Sequence, residues 1–307
     1  MREGLLANIV QILGLRGYTV SSFLEFNSCI DIAAKKNDHA FVIKVLSNVD
    51  SLRGETAAEL YKAATLFSAM PLILGEKTKT TGLEQNTRYE RFGIPVFSLE
   101  TFTDFLDGKN PLYHSFKGKQ TVQLDSKRLS SERQEQHLTQ QELADKIGVS
   151  MQTIHRYENG APAELTDARK IEELLRCRLI TPRMVSIGNR TDDKNLFQTD
   201  FSDTALEKLH DLGMPLSLFC HAPFKAFANP DERILISIGK EKRDIERKAL
   251  VLEKTKTVFK SHSIVISKEY KLHNVGKTPI IVEEELGSFS KMRDLLSEIQ
   301  KREQKKS

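Results

Sequence analysis

Residues 138–160 read LTQQELADKIGVSMQTIHRYENG. Thr139 is a good N-cap, because its hydroxyl can accept from a first-turn N–H, and Glu142 three positions on completes a capping box. The helix that this opens, Gln140 to Ile147, places Leu143, Ala144 and Ile147 on one face. Ala144 is small, so a crossing helix can come close. Gly148 ends the helix, since glycine takes the left-handed turn conformation without steric penalty. Val149 follows as a turn residue that can point inward. Ser150 then caps a second helix, Met151 to Glu158, whose Ile154 and Tyr157 can pack back on the first. Asn159-Gly160 closes the unit. Two short helices crossing at a steep angle are expected, with the outer face of the second left open.

Charge is distributed unevenly around this core. Between Lys127 and Glu158 five basic residues balance five acidic ones. The flanks are more basic. From Gly108 to Arg128, Lys109, Lys117, Lys119, Lys127 and Arg128 accompany one acid, Asp125, and Arg169, Lys170, Arg176, Arg178 and Arg183 follow the motif. Such flanks suit phosphate contacts with a strong salt dependence. The whole chain carries +4, from 46 basic and 42 acidic residues, which permits a polyanionic partner without requiring one.

The wider composition excludes several classes. Cys29, Cys177 and Cys220 are odd in number and far apart, so neither a disulfide framework nor a zinc site is expected, the Cys220-His221 pair included. That usage fits the reducing cytoplasm. No apolar run reaches the ~20 residues of a membrane span, so no membrane association is expected. The opening GLLANIVQILGL is preceded by Glu3 and followed by no small-residue cleavage site. Its Leu5, Leu6, Ile9, Leu13 and Leu15 read as one face of a core helix. No GxxxxGK[ST] loop, dinucleotide glycine pattern or G-x-S-x-G elbow occurs, so no cofactor, metal or catalytic residue is assigned.

The chain divides by pattern into residues 1–107, mixed α and β; a linker at 108–126; a helical segment at 127–182; and 185–307, again mixed α and β, with a charged tail KREQKKS. In the first block, CIDIAAKKNDHAFVIKVL reads as two strands around a polar turn at Lys36 to Asp38, and ETAAELYKAATLF reads as a helix. YTVSSFLEF, PLILGE and GIPVFSL read as further extended segments. The outer blocks resemble each other. FVIKVLSNVDSLRGETAAELYKAATLF parallels ILISIGKEKRDIERKALVLEKTKTVF, each followed by an apolar strand, and GIPVFSLETF parallels GKTPIIVEEEL with its proline placed alike. A duplicated α/β module is expected, with the helical segment inserted between the copies.

Two family resemblances follow from these residues. Gln140, the Leu143-Ala144 pair, Gly148, Ile154 and the closing Glu158-Asn159-Gly160 resemble the Cro and phage-repressor type of helix-turn-helix, over about Lys127 to Thr181. That resemblance implies duplex DNA as partner, with the second helix in the major groove. It places Met151, Gln152, Thr153, His155 and Arg156 at the DNA-facing positions, together with Gln140 and Ser150 at the two helix starts. Gln152 can pair bidentately with adenine, Arg156 with guanine or a phosphate, and Gln140 can donate to a phosphate. The first block resembles the restriction-endonuclease and Holliday-junction-resolvase fold. That family holds a metal with an aspartate and an acidic-x-lysine group on the next strand. Asp31 and Lys44 stand at about those places, but Val42 occupies the acidic position and cannot ligate a metal. Glu25 and Glu59 are the acids that could substitute. The second copy has Leu235 and Ser237 where the acid and lysine would stand.

The expected architecture is therefore two α/β modules, degenerate restriction-endonuclease-like and duplicated, flanking an all-α Cro/phage-repressor-like helix-turn-helix domain. The layout resembles archaeal transcriptional regulators. A DNA-binding regulator without enzymatic activity is expected, acting as a homodimer through apolar strands of the outer blocks such as PLILG and PIIVEE. The alternatives are a metal-dependent nuclease targeted by the helix-turn-helix and a protein-interaction adaptor. No sequence signature marks an effector pocket.

Overall fold

A computed structural model describes residues 2–23, 28–116, 118–185, 196–228 and 232–304. The chain forms two compact units: Met1–Val45, Leu52–Leu72 and Gly188–Ser307 make one, Leu46–Ser51 and Ile73–Ile187 the other. Among the described residues no helix is long and apolar enough to cross a membrane.

The N-terminal segment runs α1 (Arg2–Leu15), β1 (Thr19–Ser22), β2 (Ile32–Lys36), β3 (His39–Asn48), α2 (Gly54–Phe67), β4 (Met70–Lys77), β5 (Thr87–Arg91), β6 (Ile94–Phe97) and α3 (Leu99–Leu106). α1 buries Leu5, Leu6, Ile9 and Leu13 as its periodicity requires. Leu15 is instead 77% exposed, because two residues past Leu13 the helix has turned by about 200°. β2 and β3 pair antiparallel around Asn37, whose φ is 51°, at the expected polar turn. β5 was not legible in the sequence. It pairs antiparallel with β6 through Phe92-Gly93, both at positive φ, the primed turn that suits a tight hairpin. β4 pairs parallel with β6.

The middle segment contains β7 (Tyr113–Phe116), β8 (Lys119–Leu124), α4 (Ser126–Glu135), α5 (Gln140–Ile147), α6 (Met151–Glu158), β9 (Ala163–Glu164), α7 (Leu165–Leu175) and β10 (Ile180–Thr181). The stretch expected as a linker is a hairpin here. β7 pairs with β8, and β8 also pairs with β9 and β10. Val122 and Leu124 of β8 share one core with Leu129, Leu143, Ala144, Ile147, Ile154 and Tyr157. The glycines and lysines of 108–126 hid this alternation of buried and half-buried residues. The helical domain is thus closed by β structure.

The C-terminal segment runs α8 (Thr204–Asp211), β11 (Leu216–Leu218), β12 (Ala226–Ala228), β13 (Ile234–Gly239), α9 (Lys242–Phe259), β14 (His262–Ser267), β15 (Asn274–Val275), β16 (Thr278–Val282) and α10 (Met292–Gln304). Its element order repeats that of the N-terminal segment. The antiparallel pairs β1–β2 and β2–β3 recur as β11–β12 and β12–β13. The parallel pair β4–β6 recurs as β14–β16, and the hairpin β5–β6 as β15–β16. Pro95 opposite Glu90 is matched by Pro279 opposite Asn274. α2 and α9 each end in a left-handed cap, Ser68 and Lys260. The duplication is structural as well as textual.

Within the first unit the two copies pack on each other. Phe67 and Phe259, the last residues of α2 and α9, stack with centroids 4.0 Å apart and planes 10° from parallel. Such aromatic pairs add about 0.5–1.5 kcal/mol beyond their burial. Lys62 of α2 donates to the Leu218 carbonyl of β11, while the Lys254 carbonyl of α9 accepts from Ser21 of β1. Glu59 accepts from the backbone N–H groups of Cys220 and His221 at 2.5 and 2.6 Å. The strands expected to join two chains are not available. β4 is buried from Pro71 to Gly75, and β16 lies between β14 and β15 with all five residues buried. An apolar run in an α/β protein marks an interior strand, and here that rule outweighs the interface reading.

Candidate nucleic-acid interface

The expected helix pair is present with the expected bounds. Thr139 accepts from the Glu142 N–H at 3.1 Å, and the Glu142 carboxylate accepts from the Thr139 N–H at 2.8 Å, so the capping box is closed. Gly148 sits at φ 81° and turns the chain between the helices. Ser150 caps α6 by accepting from the Thr153 N–H at 3.2 Å. Beneath, Leu143, Ala144 and Ile154 are 0% exposed. Ala144 has the small side chain that lets α6 cross α5 closely.

α6 is sharply two-sided. Ile154 and Tyr157 are buried, while Met151, Gln152, His155 and Arg156 are exposed and Thr153 half-buried. Positions 151, 152, 155 and 156 lie on one helical face, so four of the expected reading residues are presented together. Met151 is 44% exposed, unusual for a large apolar side chain and suited to contact with a thymine methyl. His155 and Asn159 are tied, the Asn159 amide donating to the His155 carbonyl at 2.7 Å. Ser150 is exposed at the helix start. Gln140 is half-buried, and its amide donates to Glu158 at 2.6 Å, which orients it and leaves its second N–H for another acceptor.

The sequence reading missed what holds Gln140. Arg133 of α4 is 8% exposed and grips Glu158 with two hydrogen bonds, Nε to Oε1 at 2.6 Å and a terminal nitrogen to Oε2 at 3.1 Å. A third donation goes to the Leu138 carbonyl at 2.7 Å. Arg133, Glu158 and Gln140 thus lock α4, α5 and α6 to one another, together with the loop that joins α4 to α5. An arginine fork on a carboxylate fixes orientation as well as energy. On the far side, the Tyr157 hydroxyl donates to Asp167 at 2.8 Å. Burial and the Asp167 carboxylate push its phenol up to about 12, so it stays a donor. Lys170 donates to the Ile147 carbonyl at the end of α5.

The basic flanks are partly engaged. Lys109 pairs with Asp104, Lys119 with Glu164 and Arg128 with Glu132. Lys117 lies outside the described residues. Lys127, Arg169, Arg176 and Arg178 are exposed and have no ion-pair partner among the described residues, so their charge is open to an outside anion.

The N-terminal segment brings Asp31 and Lys44 together, as the spacing predicted. Asp31 is 0% exposed, and Oδ1 accepts from Lys44 at 3.2 Å and from Arg2 at 2.6 Å. Oδ2 accepts from the Val45 N–H at 2.7 Å. Lys44 also donates to the Ser28 carbonyl. The carboxylate is enclosed by two cations and an amide. Of the acids that could complete a metal site, Glu59 is engaged with the Cys220 and His221 amides, and Glu25 lies outside the described residues. Among the described residues no group of three His, Cys, Asp or Glu is placed to hold a metal. The three cysteines are free.

Comparison with known proteins agrees with this geometry. Residues 2–111 match the PD-(D/E)XK superfamily domain, and residues 129–180 match the helix-turn-helix family model. No solved structure matches the chain. A protein of Archaeoglobus fulgidus is 31% identical over 97% of this chain and 97% of its own length. One from Methanocaldococcus jannaschii is 30% identical over 97% and 96%, and one from Methanococcus maripaludis 31% identical over 100% and 99%. All three are designated, provisionally, HTH-type transcriptional regulatory proteins. With such identity over nearly the full length of both chains, this chain belongs to that archaeal family of HTH-type transcriptional regulatory proteins.

Proposed function

We propose that this chain is a sequence-specific double-stranded DNA-binding transcriptional regulator that reads the major groove with α6. The carrying observation is the face of Met151, Gln152, His155 and Arg156, exposed together on a helix whose other side buries Ile154 and Tyr157. A B-DNA major groove about 12 Å wide admits such a helix. Gln152 and Arg156 are the residues for bidentate base pairing. Gln140 and the amides at the start of α5, with Lys127, Arg169, Arg176 and Arg178, supply phosphate contacts. Each chain carries one reading helix over a locally neutral motif, so two chains on two half-sites give the affinity that one lacks. Selection of bound duplexes from a random pool at stated salt tests this. Enriched half-sites about one helical turn apart are expected; an unenriched pool contradicts specific reading.

The N-terminal module serves as scaffold, with no metal-holding group of acids among the described residues. Asp31 is already saturated by Arg2, Lys44 and the Val45 amide. Incubation with supercoiled DNA and Mg²⁺ or Mn²⁺ leaves the DNA intact on this reading. Cleavage that disappears in Asp31→Ala would establish a nuclease instead.

A further inference from the structure

The duplication shows what the second module has at the place of Asp31. In the first copy the Phe23 N–H donates to the Asp31 carbonyl, and the Asp31 N–H to Ile43, both at 2.9 Å. In the second, the Phe219 N–H donates to the Lys225 carbonyl, and the Lys225 N–H to Ile236, again both at 2.9 Å. Lys225 therefore stands where Asp31 stands, and Ser237, following Ile236, stands where Lys44 does. The acid has become a base.

The surroundings have opened as well. Lys225 and Ser237 line a cavity of about 580 Å³, within the range of small-molecule sites. Phe219 and Phe224, packed edge to face at 5.0 Å, give it an apolar wall that strengthens electrostatic contacts beside it. Five cations and three carboxylates line it, so the cavity is net positive by two. Two of the carboxylates are already matched: Asp203 by Lys268 at 3.4 Å, and Asp244 by Lys248 at 2.6 Å. Lys225 and Lys240 make no ion pair among the described residues. Ser237 is 2% exposed and lines the cavity, where its hydroxyl can donate to a bound group. A hydroxyl donor beside ammonium groups that make no ion pair is a place for an acceptor-rich anion. The start of α9 adds N–H groups that its N-cap Glu241 does not bond through its side chain.

We infer that this cavity, the counterpart of the ancestral metal site, binds a small phosphate-bearing ligand through Lys225, Lys240 and Ser237. Its concave shape favours a free small molecule over a DNA backbone. The inference does not depend on α6 reading DNA.

Calorimetric titration of the full chain with inorganic pyrophosphate tests it, beside Lys225→Glu, Ser237→Ala and Lys77→Glu. Lys77 is exposed on β4 and lies outside the cavity, so it controls for net charge. Saturable one-to-one binding is expected in the parent and in Lys77→Glu. Weakening by roughly tenfold or more is expected in Lys225→Glu, with a smaller loss in Ser237→Ala. Affinity for random-sequence duplex DNA should stay the same in Lys225→Glu. Absence of pyrophosphate binding in the parent, or equal binding in Lys225→Glu, overturns the inference. So does a Lys225→Glu variant that loses duplex affinity while keeping pyrophosphate, which would make the cleft a DNA groove.

Discussion

Replacing Asp31 by Asn separates a structural ion network from a metal centre. The carboxylate is 0% exposed, and the Lys44 side chain facing it is 8% exposed. Removing one partner of a buried pair leaves the other charge uncompensated and costs about 3–5 kcal/mol. The Arg2 side chain is 40% exposed, so its bridge is screened by solvent and adds about 1 kcal/mol at most. The amide of Asn keeps an acceptor for the Val45 N–H, which offsets part of the loss. Asp31→Asn is therefore expected to destabilise its unit by about 3 kcal/mol. A second substitution, Lys44→Met, should return about 2 kcal/mol of that, because no buried charge then remains. Urea unfolding followed by far-ultraviolet circular dichroism measures both, since the chain has no tryptophan to report. With two compact units, the transitions must be fitted separately. A carboxylate kept for binding a metal would behave oppositely. If Asp31→Asn is neutral or stabilising without metal, the network reading fails.

Gly148→Ala forces a Cβ into φ 81°, with no atom within 4 Å to clash, so the penalty is purely conformational. A loss of about 1–2 kcal/mol is expected, read as a lower unfolding temperature of the helical unit. Arg133→Met strips Glu158 of its buried partner and should cost about 3 kcal/mol while loosening Gln140, visible as faster amide exchange at the end of α6. Glu303 supplies a pH test. Burial raises its pKa, but hydrogen bonds from His262 and Lys256 outweigh burial and hold it below the ordinary 4.5. Its contribution to stability is thus present above that ordinary value and lost as pH falls through the lowered one. Glu303→Gln should flatten the fall of unfolding free energy between about pH 6 and pH 3; an unchanged slope contradicts the assignment.

The parts legible in the sequence were those written in local signals. Thr139, Glu142, Gly148 and Ser150 each act within a few residues, so the helix pair could be placed from them alone. Asp31 and Lys44 were legible as a pair, but Arg2, which completes the network, was not, because α1 reads only as an apolar face. Arg133 and Glu158 are 25 positions apart, and nothing in their neighbours announces the bridge. Glu59 meets Cys220 and His221 across some 160 positions, a pairing that only the folded duplication supplies. The repeated helix endings, TLF and TVF, did carry a trace of it, since they hold the stacked Phe67 and Phe259. The hairpin at β7 and β8 was obscured by the polar and glycine residues of its sequence, among them the exposed Lys119. The apolar strands PLILG and PIIVEE were misjudged as interface because hydrophobicity alone does not separate an interior strand from an exposed one.

The central claim is that α6 reads base sequence, and the reading face makes it testable in one experiment. Affinity of the full chain for its selected operator and for a scrambled duplex is measured by fluorescence anisotropy at several salt concentrations, for the parent and for Gln152→Ala with Arg156→Ala. Loss of two base-reading pairs should cost about 2 kcal/mol or more, roughly thirtyfold, on the operator. Affinity for the scrambled duplex should fall little, because the flanking cations remain. If the double variant binds the operator as tightly as the parent does, α6 does not read the DNA.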